Sequence, residues 1–292
     1  EFRRVLFRSS DEDMVAFQRA NLLDPSAPNP SVETLLHAFL PFRHIDHVHA
    51  DSICALTNHH DAENAVKDAL GDGFAFVDWL RPGFELSKLV STLKDSEGVV
   101  LAHHGLIVWD DKSEFCYQKT LDAVEKSSKF LASLKKAPEA TFRHDDLPEA
   151  QIMDLLLTLR GTLGKRNILR RDARLREIAD RKDLPKVLEG GAASADHMLR
   201  IRPWSCATSL ATAKEDVAKY RDRYDAYFEA NKSALPAGYS SHGNDPRVFL
   251  IPGLGMVGAA PTMGETKMLA DIAFHTHSVA ATVVDSFQIG RA

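Results

Sequence analysis

Residues 98–111 read GVVLAHHGLIVWDD, and this stretch decides the fold. Two apolar runs, 98–102 and 106–109, have the length of buried strands, and a tight His-Gly turn separates them. A long segment with helical periodicity, 113–135, follows directly. The spacing therefore predicts a strand, a turn, a second strand and a helix in immediate succession.

Upstream of this stretch, strands and helices alternate in small units. Ser31 is predicted as the N-cap of the short amphipathic helix VETLLHAFL, because it follows a proline-rich stop and precedes an apolar repeat. The run HIDHVHADSICAL combines alternation with β-branched residues and predicts a strand over 45–48. Other segments are predicted as helices over 11–22 and 61–70, a strand at FAFVDW and a helix within RPGFELSKLVSTLKD. Such alternation is typical of a layered α/β domain.

The chain changes character after residue 150. Between residues 160 and 186, ten Lys or Arg residues against four Asp or Glu lie on helical spacing, which predicts a basic helical segment. Further helices are predicted over 211–231 and 265–284, with a strand at RVFLI between them. The sequence shows no internal repeat. We therefore divide the chain into a domain over residues 10–150 and a mixed helical and α/β extension over residues 151–288.

The composition describes a globular chain and excludes several classes of protein. The 292 residues carry a formal net charge of −5, so no general electrostatic attraction to nucleic acid is expected. No stretch approaches eighteen consecutive apolar residues, which argues against a membrane span. Three widely spaced cysteines favour neither a disulfide framework nor a cysteine-type zinc site, and they predict a reducing, cytoplasmic setting.

The residues at both ends of the chain match translations of one synthetic DNA adapter. EFRRVLFRS is the in-frame translation of a common sequencing-library adapter, and IGRA is encoded by the reverse complement of the adapter's end. We interpret residues 1–9 and 289–292 as adapter read-through and exclude them from the prediction of the fold.

Three histidines have the pattern of a catalytic metal site. His47 and His49 lie two apart in a predicted strand, where alternate residues share a face. His104 ends the buried strand VVLA, so its side chain is expected at the rim of the sheet. Three imidazoles with a fourth position open are typical of catalytic zinc, and Glu33 offers an upstream carboxylate. Ordinary surface or core histidines are the alternative. A second pair, His275 and His277, is discounted, because positions i and i+2 of a helix do not share a face.

Three runs of sequence carry a resemblance to a known family. PSVETLLHAFLPFRHIDHVHADSICAL, WLRPGFELSKLV and GVVLAHHGLIVWDD resemble the class II aldolase and adducin family, whose metal histidines occur as an HxH and a later His-Gly. The resemblance is strongest to the aldolase half of bifunctional enzymes that join a rhamnulose-1-phosphate aldolase to an alcohol dehydrogenase. It extends with lower specificity through GGAASADHMLRIRP and RVFLIPGLGM.

The resemblance implies a fold, a metal and roles for particular residues. The fold would be an α/β/α class II aldolase domain around a mainly antiparallel sheet. His47, His49 and His104 would bind Zn²⁺ or another divalent metal, Glu33 would be the acid/base, and Ser31 would contact the substrate phosphate. The reaction would split L-rhamnulose 1-phosphate into dihydroxyacetone phosphate and L-lactaldehyde, in a cytoplasmic homo-oligomer.

Two departures from the family pattern bear on activity. Val32 stands where the family has a second phosphate-facing serine, and the family's upstream Gly-Asn and Thr-Gly phosphate loops are absent. We therefore expect the fragment to be impaired or inactive. NAD would serve only a dehydrogenase downstream of Gln288. His103 is not on a matched position and is expected to be a neighbour of the metal site.

Several alternatives remain open at this stage. Gly253, Gly255 and Gly258 form a G-x-G-x-x-G after a predicted strand, but Pro261 follows and the next helix starts too late for a dinucleotide fingerprint. The basic segment 160–186 lacks the interleaved aromatic residues of a nucleic-acid contact. A sugar-phosphate 4-epimerase or dehydratase could use the same histidines, whereas a non-catalytic adducin-like scaffold would not need them.

Overall fold

The structure is a computed structural model that describes residues 11–135, 144–164, 168–235, 239–241 and 243–287. The chain divides into two compact units, Glu1–Leu131 and Ala132–Ala292. The ends interpreted as adapter read-through, residues 1–9 and 289–292, lie outside the described residues. The domain bounds 10–150 and 151–288 stay predictions.

The first unit contains a four-stranded mixed sheet with strand order β1-β4-β3-β2. Strands β2 and β3 are parallel, and the other two pairings are antiparallel. The chain forms, in order, α1 (Asp11–Ala20), α2 (Thr34–Phe39), β1 (His44–Val48), α3 (Asp51–Thr57), α4 (Ala62–Leu70), β2 (Phe74–Val77), α5 (Phe84–Thr92), β3 (Gly98–Leu101), β4 (Gly105–Asp110) and α6 (Ser113–Leu134).

Helices cover both faces of this sheet, because alternate strand residues are apolar on each side. One face packs against α2 and α5 in a cluster built from Leu36, Leu40, Val77, Leu86, Val90, Val99, Leu101, Ile107 and Trp109. On the other side, the buried Cys54 of α3 lies 3.5 Å from the carbonyl of His104, and Cys116 of α6 lies 3.7 Å from the carbonyl of Val108. The predicted α/β/α layers and mainly antiparallel sheet are confirmed.

The second unit has its own four-stranded sheet, with strand order β5-β8-β7-β6. The chain forms, in order, α7 (Glu149–Leu163), β5 (Ile168–Asp172), a 3₁₀ turn (Ala173–Leu175), α8 (Arg176–Ala179), α9 (Leu184–Glu189), α10 (Ala195–Ile201), β6 (Cys206–Ala207), α11 (Ala213–Asn231), a 3₁₀ turn (Lys232–Ala234), β7 (Val248–Ile251), β8 (Gly255–Ala260) and α12 (Met263–Ser286). Strands β6 and β7 are parallel, and the other pairings are antiparallel.

The two units repeat one topology. In each, the first strand pairs with the fourth, the fourth with the third and the third with the second, and only the last pairing is parallel. In each, a helix precedes the first strand, another lies between the second and third, and a long helix follows the fourth. The prediction of no internal repeat is therefore wrong at the level of structure. Such a repeat is set by the order and pairing of elements, which different apolar residues can produce equally well.

The predicted basic helix over residues 160–186 is also wrong. Residues 168–172 form β5, which pairs with β8, and the helices on either side are separate. Arginines of this segment are held in ion pairs with acids inside and outside it: Arg170 with Asp172, Arg171 with Glu149, Arg176 with Asp146 and Asp180, and Arg181 with Asp183 and Asp285. These ion pairs neutralise the charge of several arginines in the segment.

The glycine pattern Gly253, Gly255, Gly258 belongs to a β-hairpin. Gly253, in the turn between β7 and β8, and Gly255, the first residue of β8, have positive φ angles of 80° and 105°, and Gly258 lies further along β8. A dinucleotide fingerprint needs the third glycine in an opening helix, so the structure contradicts that alternative. No helix within the described residues is long and apolar enough to cross a bilayer.

Candidate metal centre

Strand pairing brings three histidines from two separate parts of the sequence to one edge of the first sheet. His47 lies in β1 opposite Ile107 of β4, and His49 follows the last residue of β1. His104 occupies the turn between β3 and β4, where its backbone N–H donates to the carbonyl of Leu101 at 3.2 Å. Because β1 pairs directly with β4, this turn lies beside the end of β1.

The three imidazoles direct their Nε2 atoms toward one another. The Nε2 of His47 lies 3.0 Å from that of His49 and 3.3 Å from that of His104. Glu33 completes a group whose ligand atoms all lie within 4.8 Å of one another. His104 is buried and the other three residues are half-buried, so the group is in part accessible to solvent.

This donor set fits a divalent metal ion. The Nδ1 of His47 lies 2.9 Å from the carbonyl of Leu106, and a neutral imidazole would donate there and leave the Nε2 lone pair facing the group. Lone pairs about 3 Å apart repel unless a cation or a proton lies between them. Nitrogens bound tetrahedrally at about 2.0–2.1 Å from one ion would be about 3.3–3.4 Å apart. Three neutral imidazoles and a carboxylate are ligands that zinc and its neighbours accept.

Glu33 faces the same point from the start of α2. It is the residue immediately before the helix, and its Oε1 lies 2.9 Å from the Nε2 of His104 and 3.5 Å from the Nε2 of His47. Burial raises the pKa of the Glu33 carboxyl, but contacts with His104 and His47 together lower it more, and the net pKa lies well below its usual range. The carboxylate is therefore anionic at neutral pH.

Ser31 lies beside Glu33 in sequence but does not have the predicted place in the helix. The N-cap of α2 is Glu33, and the Oγ of Ser31 accepts a hydrogen bond from the backbone N–H of Glu33 at 3.1 Å. The N-cap prediction is wrong because this short-range bond forms a turn that delays the helix by two residues. Ser31 is exposed, and its contact with a substrate phosphate stays a prediction.

His103 is adjacent to the group without belonging to it. Its backbone has a left-handed φ of 54°, and its Nδ1 lies 3.1 Å from the Oδ1 of Asn58. Sequence reasoning did not predict either Asn58 as the partner of His103 or the Leu106 carbonyl as the partner of His47. A backbone acceptor leaves no signal in residue identities.

The second HxH pair does not form a comparable group. Both residues lie in α12, where His275 is exposed and His277 is buried. The Nε2 of His277 lies 2.8 Å from the Oγ of Ser205, and burial lowers the pKa of His277 to about 4. The described residues contain one group of metal-ligand type, and it is Glu33 with His47, His49 and His104.

Two family models match successive parts of the chain. Residues 5–130 match the class II aldolase and adducin N-terminal domain, and residues 150–288 match the second domain of class II aldolase. The chain belongs to the class II aldolase and adducin family. Class II aldolases are metal-dependent lyases, and the His/Glu group lies in the part that matches the N-terminal domain of that family.

Two relatives of this class II aldolase chain extend the comparison. It is 31% identical, over an alignment of 283 residues, to a Bacillus subtilis (strain 168) protein called uncharacterized oxidoreductase YuxG. The match covers 88% of the chain but 41% of YuxG, so the chain spans less than half the length of that relative. It is also 33% identical to the N-terminal class II aldolase domain of a conserved Thermoplasma acidophilum protein, covering 44% of the chain and 62% of that domain structure with a TM-score of 0.41.

Proposed function

We propose that the protein is a zinc-dependent aldolase that cleaves L-rhamnulose 1-phosphate to dihydroxyacetone phosphate and L-lactaldehyde. The observation that carries this proposal is the convergence of three imidazole Nε2 atoms and one carboxylate at the half-buried edge of the first sheet. A non-catalytic scaffold has no need of such a group. Three imidazoles with open positions beside a carboxylate are what a metal-assisted carbon–carbon lyase requires.

His47, His49 and His104 would hold the ion, and Glu33 would act on the proton. When bound, the ion supplies Lewis acidity toward the ketose carbonyl and its adjacent hydroxyl. In cleavage, the C3–C4 bond breaks, the C4 hydroxyl loses its proton as the aldehyde forms, and C3 gains a proton. The proton that leaves the C4 hydroxyl balances the one that C3 gains. Glu33, ionised in the resting site, would take up a proton and deliver it to C3, because its carboxylate faces the histidine Nε2 atoms. No oxidant or reductant is required.

Substrate binding and the wider setting of the reaction are part of the same proposal. Ser31 would donate a hydrogen bond to the substrate phosphate, since its exposed hydroxyl lies two residues before Glu33. In the whole protein, a dehydrogenase region using NAD would act on the lactaldehyde released. YuxG, which is called an uncharacterized oxidoreductase and of which this chain spans 41%, supports that arrangement. We propose that the whole protein is a cytoplasmic homo-oligomer.

The first experiment measures metal content and aldol cleavage together. The whole protein is purified and analysed for zinc, iron, cobalt and nickel, and is then assayed for dihydroxyacetone phosphate release from a panel of ketose 1-phosphates. We expect zinc at one equivalent per chain and the highest kcat/KM with L-rhamnulose 1-phosphate. Metal without cleavage, but with inversion at C4 or loss of water, would reassign the protein to the 4-epimerases or dehydratases.

Two variants separate metal binding from proton transfer. His49→Ala should lose the metal and the activity, whereas Glu33→Gln should keep the metal and lose about 10²–10⁴-fold in kcat, as is typical of a missing proton-transfer group. His44→Ala is the matched control, because His44 is exposed at the opposite end of β1 and should keep both properties. Near-normal turnover by Glu33→Gln would refute the assignment of the acid/base.

A further inference from the structure

Because the two units share one topology, each residue of the candidate metal centre in the first unit has an equivalent position in the second unit. The hairpins β3–β4 and β7–β8 close on equivalent pairs, Leu101 opposite Gly105 and Ile251 opposite Gly255. Three residues fill each turn, and the N–H of the third donates to the carbonyl before the turn, at 3.2 Å from His104 and 3.0 Å from Leu254. Leu254 therefore occupies the position of His104.

The register of the first strand in each unit places the other two histidines. Val48 lies opposite Leu106, one residue after Gly105, and Asp172 lies opposite Met256, one residue after Gly255. Arg171 thus occupies the position of His47, and Ala173 that of His49.

Close packing of the two glycines supports this register independently. A Cβ on Gly105 would lie 2.5 Å from the carbonyl of Val48 and 2.7 Å from the ring of His49. A Cβ on Gly255 would lie 2.8 Å from the carbonyl of Asp172 and 3.2 Å from the Cα of Ala173. The same backbone approach occurs at the same step of both hairpins.

The carboxylate of the centre also has a counterpart. Glu33 stands at the start of α2 and contacts the His47 ring at 3.5 Å. Glu149 is the first residue of α7, the helix before β5, and its carboxylate accepts a hydrogen bond from Arg171 at 2.9 Å. In the second unit the guanidinium of Arg171 contacts the carboxylate of Glu149. In the first unit the imidazole of His47 contacts the carboxylate of Glu33 at the equivalent position.

We propose that the second unit is a copy of the metal-binding fold in which the guanidinium of Arg171 has replaced the metal ion, leaving a latent metal position at Arg171, Ala173 and Leu254. At this exposed place the guanidinium supplies permanent positive charge beside Glu149. The chain accordingly binds one catalytic ion, in its first unit, while the backbone of the second unit still has the geometry for another.

The test is to restore the ligands. Arg171→His, Ala173→His and Leu254→His are combined in a chain that also carries His49→Ala, so that the first centre is removed. Cobalt(II) binding is followed by equilibrium dialysis and by the visible absorption of the bound ion. We expect about one equivalent of cobalt in the restored variant, at a cobalt concentration at which the His49→Ala parent, with two imidazoles left in its first centre, binds little. The readout does not depend on aldolase activity, so failure here is distinct from failure of the proposed reaction.

Controls keep the result interpretable. The same chain with Leu254 retained has two of the three ligands and should bind cobalt at least tenfold more weakly. If Leu254→His prevents folding, as judged by circular dichroism, Leu254→Cys supplies a smaller, more apolar ligand in its place. A folded three-ligand variant that binds no more cobalt than its parent would overturn the proposal, as would an unsubstituted chain that binds a second equivalent through Glu149.

Discussion

The buried imidazole of His277 makes the stability of the second unit depend on pH. His277 lies in α12 with 2% of its surface exposed, its Nε2 is 2.8 Å from the Oγ of Ser205, and its Nδ1 has no hydrogen-bond partner within the described residues. Burial lowers its pKa from an ordinary value of 6.5 to about 4, because a charged imidazole in this place would lose its hydration. The native unit therefore holds this side chain neutral.

The direction of the effect follows from proton binding. Between pH 6.5 and pH 4 the unfolded chain binds more protons at this position than the folded chain, so stability rises with pH across that window. The stability that depends on the neutral imidazole of His277 is fully present above pH 6.5 and is lost as the pH falls toward 4. A pKa shift of this size lowers the free energy of unfolding by about 2 kcal/mol between pH 7 and pH 5, and by about 3 kcal/mol between pH 7 and pH 4.

Replacing the imidazole with a neutral amide removes this dependence. His277→Gln should be less stable than the unsubstituted chain at pH 7 by about 1–3 kcal/mol, because the bond with Ser205 is lost or weakened. The difference between the two proteins should shrink by about 2 kcal/mol at pH 5. Urea unfolding at pH 7, 6 and 5, followed by circular dichroism, measures the free energy of unfolding of both proteins. His275→Gln, on the exposed face of the same helix, is the control. Parallel pH profiles for the His277→Gln and unsubstituted proteins would refute the reasoning.

Three further perturbations test the packing of the site and of the second unit. Gly105→Ala should weaken metal binding at least tenfold by calorimetric titration, because the added methyl would collide with the ring of His49 and with the adjacent backbone. Arg181→Met should cost about 3–5 kcal/mol in urea unfolding, because it leaves the buried carboxylate of Asp285 without its cation. Removal of the metal with a chelator should lower the unfolding midpoint of the unsubstituted chain and leave that of His49→Ala unchanged.

Matched substitutions give these predictions their controls. Gly161→Ala, in α7 with no atom near the added methyl, should leave metal binding intact. Lys219→Met removes an exposed ion pair with Glu215 and should change stability by less than about 1 kcal/mol. Equal metal affinity in the Gly105 variant, or an Arg181 variant as stable as the Lys219 variant, would contradict the packing described.

The residue pattern was enough to predict the class of fold and the members of the candidate site. Apolar runs of strand length around the His-Gly turn predicted β3 and β4, and period-two spacing put His47 and His49 on one face. Both inferences depend on local geometry, which sequence spacing determines directly. Glu33 was a candidate as an upstream carboxylate, and its role as the acid/base came from the resemblance to the class II aldolases. The ordinary-histidine alternative remained open until the strands were paired.

Only the tertiary structure decided which distant segments meet. Strand order β1-β4-β3-β2 places the His104 turn beside the end of β1, 57 residues away from His47 in the chain. The strand Ile168–Asp172 was predicted as helix, because its arginines fit helical spacing, and pairing with β8 overrode that local preference. The repeat of the first unit in the second was likewise invisible in residue identities. Spacing along the chain fixes which face a side chain occupies, whereas long-range pairing is selected by burial of the whole sheet, and many different apolar sequences satisfy that requirement.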